Sequence, residues 1–369
     1  MSSPLTPNYF WIVSDPFHSL FFGVTGTISI VTNLLLIYAL FASKNAEIGH
    51  YRHLLVCFAL CDMATSAMHF VALPHIHMTP VGFWFLPRNE GIFRTEGGKL
   101  ATALTFVYIA TYYQTFLILS YHFVYRVRVL SRGHSPFNSW KSFHWYLLGV
   151  SVNILYIGSF MWACWYTFMS SDYSRQNAPN SFVNLYHKDA SDPDVGYLVI
   201  TWKRANLVSG VLEWHLPTVI AMSVCIGLFT ATSAVITVSI VLISRSIKAS
   251  DLAPRTRKMQ QQLFRALLIQ TAAPCLFSYI PLATILLFPL TGIDVGALGT
   301  VLIMTTALFP SLDAILVVLF IPRLRYAVCR AFRIPYEDSS TAQGYSVPYS
   351  LNQIVQRPMT GAKVSPTPH

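Results

Sequence analysis

Seven long apolar runs constrain this chain more than any other feature of its sequence. A membrane helix needs roughly 20 apolar residues to cross about 30 Å of hydrocarbon, and helices are expected because lipid cannot bond to open backbone groups. The sequence therefore predicts an all-α membrane protein, a seven-transmembrane helix bundle. The predicted spans are Phe17–Ala42, Arg52–Pro74, Gly98–Tyr125, Phe143–Met169, Leu216–Ile243, Gln262–Phe288 and Asp294–Ile321.

Composition supports the same class. The 369 residues are 54% hydrophobic and only 11% charged, whereas a soluble chain carries about 25% charged residues. The net charge of +10 fits Lys and Arg gathered on the cytosolic side, so nucleic-acid binding is not predicted. No HExxH, GxSxG, P-loop or GxGxxG motif occurs, so neither catalysis nor a cofactor is predicted. His75 and His77 lack a further ligand at helical spacing, so no metal site is predicted.

The distribution of basic residues predicts the orientation. The first, third and fifth loops and the C-terminal tail hold 18 Lys and Arg, and the remaining loops hold 7. The positive-inside rule then places the N-terminus outside and the C-terminus inside. Residues 1–16 form the predicted extracellular N-terminus, residues 322–335 an interfacial amphipathic helix, and residues 336–369 a disordered cytoplasmic tail. Cys329 in that helix is a candidate palmitoylation site, with a buried unmodified thiol as the alternative.

Three polar side chains lie at similar depth in three different spans. Asn33, Asp62 and Asp313 are each roughly 12–15 Å from the cytosolic face, at about 1.5 Å rise per residue. An ionised Asp near mid-membrane costs about 2.5–3.5 kcal/mol on insertion scales, so a shared hydrogen-bonded cluster is predicted. Such a cluster serves either as an activation switch or cation site, or as a static packing bridge.

The inner ends of spans 3 and 6 carry basic residues suited to a cytosolic partner. These are Tyr125, Arg126, Arg128, Arg255, Arg257 and Lys258. Prolines that remove backbone hydrogen bonds predict kinks in spans 6 and 7, at Pro274, Pro281 and Pro310. Kinks behind the most basic inner loop suit a lever, although prolines are common in membrane helices for reasons of shape.

Aromatic, histidine and threonine side chains collect in the middle and outer parts of spans 2, 3, 5 and 6. They suit a ligand cleft between helices, although ordinary helix packing explains any one of them. The candidate ligand-binding residues are His69, Tyr108, Thr111, Tyr112, Trp214, His215 and Tyr279.

Four stretches of the chain resemble the nematode serpentine chemoreceptors of the Str superfamily, which includes the Str, Srj, Srh, Srd and Sri groups. The resemblance covers about Phe17 to Arg330. The four stretches are Ile48–Leu55, His122–Arg126, Gln261–Pro274 with Tyr279–Pro281, and Pro310–Asp313 leading to Arg323 and Arg325. Among them, the third stretch, in span 6, is the most specific to this superfamily.

The resemblance implies a G-protein-coupled chemosensory receptor of the plasma membrane, with sensory cilia as a candidate location. It implies a small odorant ligand in the outer half of the bundle and a heterotrimeric G protein on the inner face. The sequence departs from rhodopsin-like receptors at His122–Arg126, where no Asp or Glu adjoins Arg126. A ligand-gated cation channel of odorant-receptor type, with its N-terminus inside, and a secondary transporter are the alternatives.

Overall fold

The computed structural model describes residues 10–42, 51–130, 142–179, 181–206, 209–249 and 254–334. Within these ranges, seven helices are long and apolar enough to cross a membrane. The tail predicted over 336–369 lies outside the described residues, as does the predicted N-terminal segment before residue 10. The described residues thus contain the whole predicted bundle.

Four of the spans are uninterrupted helices. Spans 3 and 5 run beyond the predicted apolar stretches, because hydropathy falls at their basic ends while the helix continues. Their last turns contain Arg128 and Lys248 respectively. Spans 1, 2, 3 and 5 occupy Phe17–Ala42, Tyr51–Ala72, Lys99–Leu130 and Leu216–Ala249.

The other three spans change helix type along their length. Span 4 consists of Ser142–Ala163 and a π-helical turn, Cys164–Phe168. Span 6 begins with Pro254–Pro274, passes through a second π-helical turn at Cys275–Tyr279, continues as Ile280–Leu287 and closes with a 3₁₀ turn at Phe288–Thr291. Span 7 is divided into Leu298–Thr306 and Phe309–Phe320.

The three prolines predicted to kink helices lie at these changes of helix type. Pro274 is the last residue before the π-turn of span 6, and Pro281 is the second residue of the helix that follows. Pro310 is the second residue of the last segment of span 7. The first turn of a helix accepts proline because its N–H groups have no partner within the helix.

The spans form one bundle. Span 2 packs against spans 1 and 3, span 3 packs against span 5, and span 7 packs against spans 1 and 6. The interior is filled by fully buried side chains such as Leu36, Phe58, Phe123 and Phe309. Span 4 turns apolar side chains such as Leu155 outward, as expected for a helix that faces lipid.

Between the spans, at the end where span 1 begins, the chain forms an antiparallel sheet. Strands β1 (His75–Thr79), β2 (Gly82–Leu86) and β3 (Leu198–Thr201) lie in that order. A separate hairpin pairs β4 (Lys203–Ala205) with β5 (Leu212–Trp214). We call this the sheet end of the bundle and the opposite end the Arg126 end. The all-α prediction thus describes the spans, while these strands were not predicted.

Reciprocal backbone hydrogen bonds tie the three-stranded sheet to the start of span 7. Met78 and Gly296 donate to each other's carbonyl oxygens at 2.9 and 3.0 Å. Thr300 accepts from the Ile76 N–H and donates to the Ile76 carbonyl, both at 3.0 Å. Gly299 permits this approach, because a Cβ there would lie 2.7 Å from the Ile76 carbonyl oxygen. Span 7 was predicted to begin at Asp294, and these bonds explain why its helix starts only at Leu298.

Short helices complete the described fold. The two helices described between spans 4 and 5 have only five and six residues. At the Arg126 end, the helix predicted over 322–335 is observed over Pro322–Ala331, with Leu324 buried against spans 1 and 7. The short helices are Phe10–Val13, Gly91–Phe93, Glu96–Gly98, Asp172–Gln176, Ser181–Tyr186 and Pro322–Ala331.

Candidate functional site

A cavity of about 310 Å³ lies among spans 3 to 7, beneath the sheet. Every described residue around it is aliphatic, aromatic, methionine or cysteine, and none is charged. Span 3 supplies a row of tyrosines, and the sheet supplies the wall opposite the bundle interior. The principal lining residues are Ile76, Phe83, Phe85, Tyr108, Tyr112, Tyr113, Phe160, Leu198, Cys225, Phe229 and Tyr279.

The tyrosine hydroxyls are the main polar atoms of the cavity wall. The Tyr108 hydroxyl lies 3.0 Å from Nε2 of His69, and the Tyr112 hydroxyl bonds to the Ser278 hydroxyl. No hydrogen bond joins the hydroxyls of Tyr113 and Tyr279 to another described residue. These two phenols are therefore free to donate to a molecule in the cavity.

The structure places three of the seven candidate ligand-binding residues at the cavity, namely Tyr108, Tyr112 and Tyr279. The other four do not line it. His69 lies behind Tyr108, and the Thr111 hydroxyl donates to carbonyls of its own helix.

Trp214 and His215 lie apart from the cavity at the sheet end. Trp214 belongs to the β4–β5 hairpin, where its ring lies 5.0 Å from the Lys203 ammonium and is 59% exposed. Nδ1 of His215 lies 2.8 Å from the Thr218 hydroxyl. Sequence analysis placed both at the mouth of span 5 without the hairpin, whose pairing turns Trp214 away from the cavity.

Phe83 and Phe85 of β2 line the cavity but were missed by sequence analysis. They lie two residues apart on one face of a strand, which is a recognisable alternation. Their strand pairs with Leu198–Thr201, more than a hundred residues later in the chain. Local pattern alone gave no indication of that pairing.

The predicted polar cluster is built first around Asn33. Its Nδ2 donates to the Ser29 carbonyl at 2.9 Å and to the Pro310 carbonyl at 3.0 Å. The Ser66 hydroxyl lies 2.7 Å from the Ser29 hydroxyl. Spans 1, 2 and 7 are thereby joined by hydrogen bonds in the bundle interior.

Asp62 and Asp313 complete this cluster. Both are fully buried, and their carboxyl groups interact electrostatically. Gln270 of span 6 donates to Oδ2 of Asp313 at 3.1 Å. Among the described residues, neither oxygen of Asp62 has a hydrogen-bond partner, nor does Oδ1 of Asp313. Among the described residues, no hydrogen bond therefore joins the Asn33, Asp62 and Asp313 side chains to one another, and Gln270 is the side chain that bonds to Asp313.

At the Arg126 end, Arg126 is held by an aromatic ring and an amide. Its guanidinium carbon lies 4.3 Å from the centroid of the Tyr51 ring, and Nη1 donates to Oε1 of Gln260 at 3.2 Å. The Tyr125 ring stacks on the Tyr51 ring, with centroids 5.9 Å apart. Arg126 is only 6% exposed. Span 3 is thus linked to spans 2 and 6 without an acidic partner.

The remaining candidate coupling residues lie around this contact. The Arg128 guanidinium lies 4.7 Å from the Trp145 ring, and Nη2 of Arg257 donates to the Lys248 carbonyl at 3.4 Å. Lys258 is exposed. The side chain of Arg255 lies outside the described part of the structure. A basic depression of about 490 Å³ is lined by Pro254, Arg257, Lys258, Gln261, Gln262 and Arg265.

Buried basic groups gather at the sheet end. The His75 and His18 rings stack with centroids 4.0 Å apart. Burial, helped by the Lys188 charge, holds the pKa of His75 well below its usual range, and burial lowers the pKa of His77 to about 4. Burial also lowers the pKa of Lys188 to about 8, and its ammonium donates to the Pro87 carbonyl at 3.0 Å. The sheet end therefore favours neutral histidines.

The helical bundle and its enclosed cavity define a seven-transmembrane receptor fold. A crystal structure of squid rhodopsin shares this fold with a TM-score of 0.57, covering 90% of this chain and 92% of that chain at 11% identity. Residues 19–329 match the family described as Serpentine type 7TM GPCR chemoreceptor Str, and the chain belongs to that family. It is therefore a G-protein-coupled chemosensory receptor, which confirms the resemblance, the fold class and the receptor function predicted from sequence.

Curated relatives agree with this assignment. Serpentine receptor class r-10 of Caenorhabditis briggsae is 24% identical over 326 residues, covering 87% of this chain and 92% of the relative. Serpentine receptor class J-38 of Caenorhabditis elegans is 27% identical over 322 residues, covering 81% and 88%. The family is one of receptors, which favours this function over the channel and the transporter.

Replacing His77 with Asn is expected to flatten the fall in melting temperature between about pH 6.5 and pH 4. Its pKa of about 4 in the folded receptor means that the unfolded chain binds the proton first as the pH falls. The stability conferred by the neutral ring is present above about pH 6.5 and is lost towards pH 4. The loss approaches about 3 kcal/mol. Thermal unfolding in detergent, from pH 7 to pH 4, measures it.

The control is His53→Asn, which changes an exposed histidine of span 2. It is expected to retain the pH slope of the unaltered receptor. Equal slopes for the two variants would show that burial of His77 does not govern acid stability.

Proposed function

We propose that the sheet end faces the outside of the cell and that the cavity beneath it binds the ligand. The cavity carries this proposal, because it is lined by five spans and the sheet, and such concave apolar spaces are where proteins hold small molecules. The 18-to-7 distribution of Lys and Arg supports the orientation. The described helix ends that adjoin the third and fifth loops and the tail, with Arg128, Lys248 and Arg325, lie at the Arg126 end. The receptor is proposed to act in the plasma membrane, with sensory cilia as the candidate location.

The ligand proposed for this cavity is a small, uncharged, largely apolar odorant. An ionised ligand would be desolvated there without a charged partner, which costs several kcal/mol. The hydroxyls of Tyr113 and Tyr279 offer hydrogen bonds to one or two acceptor atoms. A compact molecule with a carbonyl, ester or ether oxygen meets both conditions.

On the opposite face, Tyr125, Arg126 and Arg128 are proposed to contact the heterotrimeric G protein together with the basic end of span 6. Nε and Nη2 of Arg126 have no hydrogen-bond partner among the described residues. A buried guanidinium with spare donors is suited to carbonyl or carboxylate groups of a partner that enters when span 6 moves away. The coupling residues on span 6 are Arg255, Arg257 and Lys258.

Two glutamines of span 6 are proposed to hold the inactive conformation. Gln260 bonds to Arg126 of span 3, and Gln270 bonds to Asp313 of span 7 within the polar cluster. A ligand that favours a conformer with spans 3 and 6 apart at the Arg126 end would break both bonds. It shifts the equilibrium only by its difference in affinity for the two states. In this scheme Asn33, Asp62 and Asp313 form the switch cluster.

Cys329 is proposed to carry a palmitoyl chain. It lies partly exposed in the helix Pro322–Ala331, among arginines suited to the membrane interface. A lipid chain there would fasten this helix beside span 7.

Filling the cavity with Cys225→Phe is expected to abolish responses to an odorant panel while leaving surface expression intact. Cys225 is buried in the cavity wall, so a phenyl ring takes the space of the ligand. Cells that report cyclic nucleotide and calcium provide the measurement, with surface receptor counted by antibody. Cys57→Phe, at an exposed cysteine of span 2, is the matched control and should respond normally. An unchanged response in Cys225→Phe would place the ligand elsewhere.

Releasing span 6 by Gln260→Ala or Gln270→Ala is expected to raise signalling without ligand by several-fold. Each change removes one bond that links span 6 to a neighbour, worth about 0.5–1.5 kcal/mol or a factor of roughly 2–13 in the equilibrium. Basal cyclic nucleotide per surface receptor is the readout. The control is Gln262→Ala, an exposed glutamine on the same helix. Basal signals that match the control in both variants would refute this role.

Arg126→Ala is expected to abolish signalling with surface expression retained. The change breaks the bond to Gln260 and also removes the proposed contact with the G protein, so it should behave oppositely to Gln260→Ala. Ligand-evoked G-protein activation, normalised to surface receptor, measures the effect. If coupling survives, Arg126 only anchors the membrane topology and the basic end of span 6 makes the contact.

A further inference from the structure

The sheet closes the cavity at the sheet end. It is bonded to the start of span 7 through Met78 and Gly296. It is bonded to span 6 through Trp202, the residue after β3, whose Nε1 donates to the Leu286 carbonyl at 3.1 Å. A β-bridge between Met169 and Leu198 ties it to the end of span 4. A ligand coming through the sheet must break several of these bonds in a largely buried environment, where each exposed peptide group is costly.

The cavity wall reaches the lipid-facing surface between spans 5 and 6. Ile226 of span 5 is 40% exposed and also lines the cavity. On span 6, Ala283 is exposed and Leu287 is 49% exposed, and both line it as well. Residues that border a cavity and the outer surface together mark the edge of an opening.

Packing leaves room for this opening. Span 5 packs against spans 3 and 4 and contacts the segment Pro254–Pro274 of span 6, whereas Ile280–Leu287 packs chiefly against span 7 and β2. The Phe229 and Tyr279 rings, 5.5 Å apart between centroids, join spans 5 and 6 beside the cavity. On the span 6 side of the gap, Ala283 presents only a methyl group.

We propose that ligands reach the cavity from the bilayer, through the gap between Ile226 of span 5 and Ala283 and Leu287 of span 6. The residues at its edge are all apolar, so the gap is suited to molecules already dissolved in lipid. The ligand class is therefore lipophilic and uncharged. This inference rests on the proposed function, because it takes the cavity as the ligand site.

A bilayer route also sets which odorants are favoured. Each methylene added to a molecule enriches it in hydrocarbon by about fourfold. Homologous ligands of increasing chain length therefore gain effective concentration at the gap until the cavity of about 310 Å³ excludes them. Water-soluble charged molecules are excluded both by the lipid and by the uncharged cavity.

The route is tested with purified receptor in phosphatidylcholine vesicles and the fluorescent apolar probe 1-aminoanthracene. Ala283→Trp places an indole at the edge of the gap. It is expected to slow both uptake and release of the probe about tenfold in stopped-flow fluorescence. Val238→Trp, at a 57% exposed position of span 5 away from the cavity, is the control with unchanged rates.

A route through the sheet gives the opposite pattern. Thr300→Val removes both bonds to Ile76 and would then speed uptake, while Ala283→Trp would leave it unchanged; that result overturns the proposed route. If Ala283→Trp does not fold, Ala283→Leu tests the same gap with a smaller expected slowing. Failure of the proposed function looks different, because equilibrium binding of the probe would then be absent or insensitive to Cys225→Phe.

Discussion

Lipid offers no hydrogen-bond partner to a peptide group, and the architecture of this receptor depends on that constraint. Each span satisfies its own backbone, and where the three-stranded sheet meets the bundle it pairs with itself and with span 7. Because the sheet is fixed to the spans, it closes a cavity that the helices alone would leave open. The strands that pair to satisfy their backbone therefore also form one wall of the uncharged cavity, which is the proposed ligand site.

Span 6 bonds to spans 3 and 7 through the neutral amides of Gln260 and Gln270. Rhodopsin-like receptors have an acidic residue beside the arginine at the end of span 3. Here Arg126 lies against the Tyr51 ring and forms no ion pair with any described residue. A cation–π contact and a bond to an amide are each modest compared with a buried ion pair, whose partners cannot be separated without leaving a charge unpaired. In the proposed scheme, links of this strength would let span 6 move at a cost that the binding of a small ligand can meet.

The seven spans followed from the sequence, because each rests on a local run of apolar residues. Asp62 and Asp313 are both buried and interact electrostatically, but the hydrogen bonds predicted among Asn33, Asp62 and Asp313 are not observed among the described residues. The sheet was missed because β2 and β3 pair across more than a hundred residues. Trp214 was assigned to the ligand site for the same reason, since only pairing between β4 and β5 shows that it turns away. Tyr51 and Gln260 gave no signal, because their role exists only once three spans meet.

The two π-helical turns, Cys164–Phe168 in span 4 and Cys275–Tyr279 in span 6, lie on different walls of the cavity. Each accommodates one more residue than an α-helix would hold in the same length. Because the extra residue is absorbed locally, loss of a single residue from the second turn would convert it to α-helix and leave the segments on either side in register. Only the side chains within Cys275–Tyr279 would be repositioned, and Tyr279, which lines the cavity, is one of them. Single-residue insertions and deletions in these turns would therefore alter the cavity wall without changing the bundle that carries it.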